Sequence, residues 1–156
     1  ETLRILNQKI RDREIAKFYL AIVHGRMKPS QGKLEGFLLK DEDQAQVKVF
    51  SRPVPGGKSA ATLYKTLRTA GGLSLVECEL LTGRTHQIRV HLASIGHPLL
   101  GDVVYGAKKP VPGLAGQCLH ARRLSFVHPR TGERVTVECP LPAYFTQVLT
   151  KLRHLV

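Results

Sequence analysis

Apolar and polar positions change period several times along this chain, and each change marks an element. Leu3, Leu6 and Ile10 recur at helical spacing with charge between them, predicting an amphipathic helix over residues 2–13. The run Lys17–Gly25 (KFYLAIVHG) is rich in β-formers and stops at a glycine. It reads as a strand with Tyr19 and Ala21 on one face and Phe18 and Leu20 on the other. Residues 33–39 and 46–50 read as two further strands, followed by a loop over 51–59 that is punctuated by Pro and Gly and carries Arg52 and Lys58. Residues 60–67 and 73–80 form a predicted antiparallel hairpin turning at Gly71-Gly72, with Val76, Cys78 and Leu80 sharing a face.

The period then becomes helical. Ile88, Leu92 and Ile95 fall at i, i+4 and i+7, Thr85 stands where an N-cap belongs, and Gly96 stands where a helix stops. Strands over 119–127 and 134–138, joined by the turn HPRTGE, and a helix after Pro142 complete the pattern. Several strands, few helices and no regular βαβ alternation predict an α+β fold built on a mostly antiparallel or mixed sheet. A chain of 156 residues fits one domain.

Charge narrows the partners. With 24 Lys and Arg against 12 Asp and Glu, the formal charge is +12, a field that attracts polyanions: RNA, DNA or an anionic membrane. No apolar run approaches the roughly 20 residues of a spanning helix and no secretory leader is legible, so a soluble protein is expected. Cys78, Cys118 and Cys139 are widely spaced without a CxxC pair, which predicts free thiols in a reducing cytoplasm. The chain opens at Glu1 and its only Met is Met27, so a piece of a longer protein is expected.

The candidate chemistry is concentrated in residues 80–106. Arg84 precedes a helix N-terminus, where free N–H groups and the helix dipole favour a phosphate. Arg89 lies about 100° around the helix from Ile88 and flanks the apolar stripe, so its guanidinium is half buried and needs an anionic partner. That partner is either an active-site anion or a Glu held for packing. His86 and His91 are not spaced to share a metal, so no metal is expected; capping, hydrogen bonding or RNA contact suits them and His97 better. Gly96 and Gly101 read as helix terminator and turn residue, and Asp102 as bonding the backbone of its own turn.

The run TGRTHQIRVHLASIGHPLLGDVVYG, with AKFYLAIVHGR upstream and CLHARRLSFVHPRTGE downstream, closely resembles the RluA family of RNA pseudouridine synthases. The resemblance runs nearly end to end. It implies a cofactor-free enzyme that breaks the C1′–N1 bond of a uridine in RNA, rotates the base and rejoins it through C5. It further implies that Tyr19 packs against the target base and helps remove the C5 proton, and that Arg89 pairs with the catalytic Asp. Arg84, His86, Lys108, Lys109, Arg122 and Arg123 are the expected RNA contacts. The family's catalytic Asp lies in an HRLD motif that does not occur here, and Asp12, Asp41, Asp43 and Asp102 stand in other contexts.

Residues 1–156 are therefore expected to be the C-terminal portion of one catalytic domain, incomplete at its N-terminus, inactive alone and prone to self-associate through exposed sheet edges and apolar surface. Ribosomal RNA is the expected substrate ahead of transfer RNA. A non-catalytic RNA-binding module is the rival reading, and a ribosome-associated structural protein ranks third because it has no use for Arg89.

Overall fold

The structure, a computed structural model, describes residues 3–4, 15–108 and 117–154, with 149–154 described through their backbone alone. The helix expected over 2–13 falls, apart from Leu3 and Arg4, outside the described residues, as do Asp12 and Lys109.

Seven strands form one sheet: β1 (Ala16–His24), β2 (Gln31–Asp41), β3 (Gln46–Phe50), β4 (Lys58–Ala70), β5 (Leu73–Leu80), β6 (Leu119–Val127) and β7 (Arg134–Glu138). Their order is β3-β2-β4-β5-β1-β6-β7, and every neighbouring pair is antiparallel, so the expected antiparallel or mixed sheet resolves to the former. Helix α1 (Gln87–Ser94) covers one face and α2 (Ala143–His154) the other.

Side-chain alternation explains both coverings. On β1, Ala21 and Val23 turn toward Val76, Cys78, Ile88 and Leu92, while Leu20 and Ile22 turn toward Cys118 and Phe145. Leu92 and Phe145 are fully buried, and side chains of this kind each contribute roughly 1.5–3 kcal/mol by leaving water. A third cluster, Leu38, Val47, Ala60 and Val90, holds the β2–β3 hairpin against α1.

Two local expectations change. The loop over 51–59 ends early, because Lys58 and Ser59 already pair with Leu38 and Phe37 of β2. Ile95 is 41% exposed and leaves the predicted stripe, because the helix has ended. Gly96 at φ 86° supplies the left-handed residue there, and the N–H groups of Gly96 and His97 reach the carbonyls of Ala93 and Leu92.

Candidate active site

α1 begins on a side-chain network. Its N-cap residue is His86, at φ 55° and without a side-chain capping bond, while Thr85, the expected cap, is exposed. The capping work falls to Gln87, which is 2% exposed. Its Oε1 accepts from Thr82 Oγ1 at 2.7 Å and from the Arg84 N–H at 3.0 Å; its Nε2 donates to the Ala61 carbonyl and to Thr62 Oγ1, both at 2.9 Å. Every hydrogen-bonding position of the amide is filled, and the helix start is tied to β4. Thr62 Oγ1 in turn meets His91 Nδ1 at 2.8 Å, and burial pushes His91 down to about 4, which keeps it neutral.

Arg89 points to the loop that follows the helix. Its Nε and Nη2 donate to Asp102 Oδ2 and Oδ1, each at 2.9 Å, with the Asp102 side chain 1% and the Arg89 side chain 13% exposed. The expectation that Asp102 bonds the backbone of its own turn is therefore corrected: its carboxylate goes to Arg89. The reason is electrostatic: a half-buried guanidinium needs a carboxylate, and the turn places one within bidentate reach. The hydrogen bond from Arg89 to Asp102 raises the guanidinium pKa further.

The same turn contributes Tyr105 from a single 3₁₀ turn, Val103–Tyr105. Its ring lies 5.0 Å from Arg89 Cζ, a cation–π distance. Its hydroxyl accepts from the Val47 N–H at 2.9 Å and meets His86 Nδ1 at 2.8 Å. Burial, and after it the Arg89 charge, lowers the His86 pKa.

Tyr19 from β1 and Arg89 from α1 line one pocket of about 290 Å³, together with Leu80, Arg84, His86 and Leu119. Tyr19 stands beside a bulge at which Phe18 registers with Arg123 and Tyr19 with Ala121, leaving Arg122 as the extra residue. Arg84 sits at a junction. Its Nε donates to the Ser59 carbonyl at 2.9 Å, and it also lines a neighbouring cleft with Lys40 and Lys58.

Of the residues singled out by sequence, Tyr19, Arg84, His86 and Arg89 converge on this pocket. Lys108 is exposed at the end of the loop, and Arg122 is half-buried on the bulge. Arg123 goes elsewhere, stacking 4.2 Å over Phe18 on the face opposite Tyr19. Sequence reasoning missed Gln87 and Tyr105 and misread Asp102. One signal was available: Asp102 is the single acid in residues 80–106, the stretch whose Arg89 needed an anion. Among the described residues no cluster of His, Cys, Asp or Glu could hold a metal ion.

Residues 1–94 match the family described as RNA pseudouridylate synthase. The uncharacterized RNA pseudouridine synthase YlyB of Bacillus subtilis is 40% identical over 149 residues, which are 96% of this chain and 48% of that protein. Ribosomal large subunit pseudouridine synthase D of Neisseria meningitidis is 40% identical over 156 residues, covering 93% of this chain and 41% of its own length. The chain thus spans about half the length of the curated relatives it matches. Among solved structures, human RNA pseudouridylate synthase domain containing 4 superimposes with a TM-score of 0.79 at 26% identity, over 96% of this chain and 67% of that one. With the family match spanning more than half of the sequence and the same fold found in a solved pseudouridylate synthase domain, the chain belongs to the RNA pseudouridine synthase family.

Proposed function

We propose that the protein carrying this chain isomerises uridine to pseudouridine in structured RNA, with large-subunit ribosomal RNA as substrate ahead of transfer RNA. One observation carries the reading: a strand tyrosine, Tyr19, and a carboxylate-clamped arginine, Arg89, share a pocket of about 290 Å³. Tyr19 supplies a rigid stacking face with a polar tip. Arg84 and His86, which line the pocket, are assigned as RNA contacts together with Lys108, Lys109, Arg122 and Arg123. Two relatives named for the large ribosomal subunit support the choice of RNA. The isomerisation is redox-neutral and needs no cofactor.

None of the described aspartates is placed to attack a ribose. Asp102 is buried with both oxygens engaged by Arg89, Asp41 binds Lys48 and the N–H groups of its own hairpin turn, and Asp43 is exposed on that turn. Because the HRLD motif is also missing from the sequence and Asp12 stands in another sequence context, we assign the nucleophilic carboxylate to a segment of the protein other than residues 1–156, and read these residues as the C-terminal portion of one catalytic domain. Produced alone, they form no pseudouridine and self-associate. The protein is assigned to the cytoplasm, which suits the free thiols of Cys78 and Cys118, both pushed up to about 12 by burial. No helix among the described residues is long and apolar enough to cross a membrane.

The test is Arg89→Ala in the full-length protein acting on transcribed ribosomal RNA. Turnover falls at least about 100-fold while RNA affinity stays within about twofold, the pattern of an interaction used in the transition state. Wild-type protein that binds RNA tightly and converts no uridine would leave the non-catalytic RNA-binding module as the answer.

A further inference from the structure

Two of the polar pocket-lining residues at the α1 start, Arg89 and His86, are held from behind by one short turn. Asp102 and Tyr105 belong to the segment GDVVYG, and neither lines the pocket. Asp102 takes Nε and Nη2 of Arg89, so Nη1 is the guanidinium nitrogen with no hydrogen bond among the described residues. Two of the three guanidinium nitrogens are fixed in a plane with the carboxylate, and the direction of the third is set. Tyr105 does the corresponding work on His86. Its hydroxyl oxygen accepts from the Val47 N–H and meets His86 Nδ1, and we infer that the hydroxyl, with one lone pair already used, donates its proton to Nδ1. His86 is then a neutral imidazole with its proton on Nε2.

We propose, building on the pseudouridine synthase reading, that Asp102 and Tyr105 are the positioning residues of this site. Together they fix Arg89 and His86 so that Arg89 offers Nη1 to an incoming carboxylate or phosphate and His86 offers Nε2–H to a carbonyl of the bound base. The buried negative charge of Asp102 also balances Arg89 before any substrate arrives. Arg89 consequently acts as an oriented donor whose own charge is already balanced, and the fork survives between turnovers. The Tyr105 ring over the guanidinium adds a second restraint from the same turn. The lowered pKa of His86 agrees with the neutral tautomer.

The experiment uses full-length protein and two variants, Asp102→Asn and Tyr105→Phe, with three readouts. In steady-state pseudouridine formation on transcribed ribosomal RNA, kcat falls about 100-fold for Asp102→Asn and about tenfold for Tyr105→Phe, with KM and RNA affinity within about twofold of wild type, as a misplaced group predicts. In the double variant Arg89→Ala/Asp102→Asn, turnover is no lower than in Arg89→Ala alone, because Asp102 acts only through Arg89. In ¹⁵N-resolved NMR of the imidazoles, His86 is the Nε2–H tautomer at neutral pH in wild type and a mixture of tautomers in Tyr105→Phe. The NMR readout stands even for a protein that converts no uridine, so failure of the proposed function is told apart from failure of this inference. Additive losses in the double variant, an Nδ1–H His86 in wild type, or a loss that raises KM as much as it lowers kcat would overturn it. Should Asp102→Asn fail to fold, Tyr105→Phe decides: unchanged kcat with an unchanged His86 tautomer removes the turn from the mechanism.

Discussion

Beneath α2, the buried positions Leu20, Ile22, Cys118 and Phe145 are apolar or thiol side chains, each at most 1% exposed. Beneath α1, positions equally deep include Thr62, Gln87, His91 and Asp102, each at most 2% exposed. The two faces of one sheet thus use burial differently. The α2 face gains stability that is non-directional, roughly in proportion to area. The α1 face gives up some of that gain for bonds with fixed directions, and those bonds orient Arg89, His86 and the helix that carries them. The pocket lies on the face that has paid for direction.

Phe145→Ala gives the largest change on the apolar side. Removing this fully buried ring costs about 3–5 kcal/mol in denaturant unfolding. Molecules still folded keep wild-type turnover, because Leu20, Ile22 and Cys118, the buried residues clustered with Phe145, do not line the pocket. A large loss of kcat in folded protein would erase the distinction between the faces.

Gln87→Ala tests the polar side. It leaves the Thr82 hydroxyl proton and the Arg84 N–H without an acceptor, while the Ala61 carbonyl keeps the Leu81 N–H, at a cost of about 2–3 kcal/mol in unfolding. Here the damage reaches function, since the start of α1 loosens and kcat falls with it. A stability loss with turnover intact would show that the network only packs.

His91 sharpens the comparison through pH. Burial holds its folded pKa at about 4, below the value near 6.5 of an unfolded histidine. Between these values the unfolded chain binds a proton that the folded chain refuses. Its contribution is therefore complete above pH 6.5, falls by at most about 1.4 kcal/mol per pH unit on acidification, and is exhausted near pH 4. Unfolding curves of wild type and His91→Gln across that window isolate the difference, and parallel curves would refute it. The smallest effect belongs to Val137→Thr on the exposed β7, which shifts stability by no more than about 0.5 kcal/mol and leaves turnover alone.

Periodicity made most of the fold legible. β3, β5, β6 and β7 match their predicted bounds, because Val, Leu and Phe alternate there and Gly or Pro closes each run. The pattern misled where a period outran its element: Ile95 continues the i, i+4, i+7 series arithmetically, but Gly96 has already turned the chain. Thr85 had the right chemistry for a cap, and a buried amide two residues on took the role instead. Much of the site was legible as residue types and little of it as partnerships. Arg89 and Asp102 are 13 residues apart across a helix end and two turns, a distance over which no period carries information. The side on which Arg123 stands was not legible for a related reason, because a one-residue bulge in β6 reassigns sides in a way that composition does not record.

The short segment Pro98–Leu100 ties these parts together. Its Leu100 N–H reaches the Ile22 carbonyl, its Pro98 carbonyl accepts from His24, and its Leu100 carbonyl accepts from Cys118, which leads into β6. These bonds stitch the chain leaving α1 into the end of β1, the strand that also carries Tyr19. In hydrogen exchange, the amides of Leu100 and Cys118 should therefore keep the clock of the central sheet and open only with global unfolding, while amides of the exposed β7 open locally. The walls around Tyr19 and Arg89 then belong to one cooperative unit, and the pocket persists for as long as the fold does.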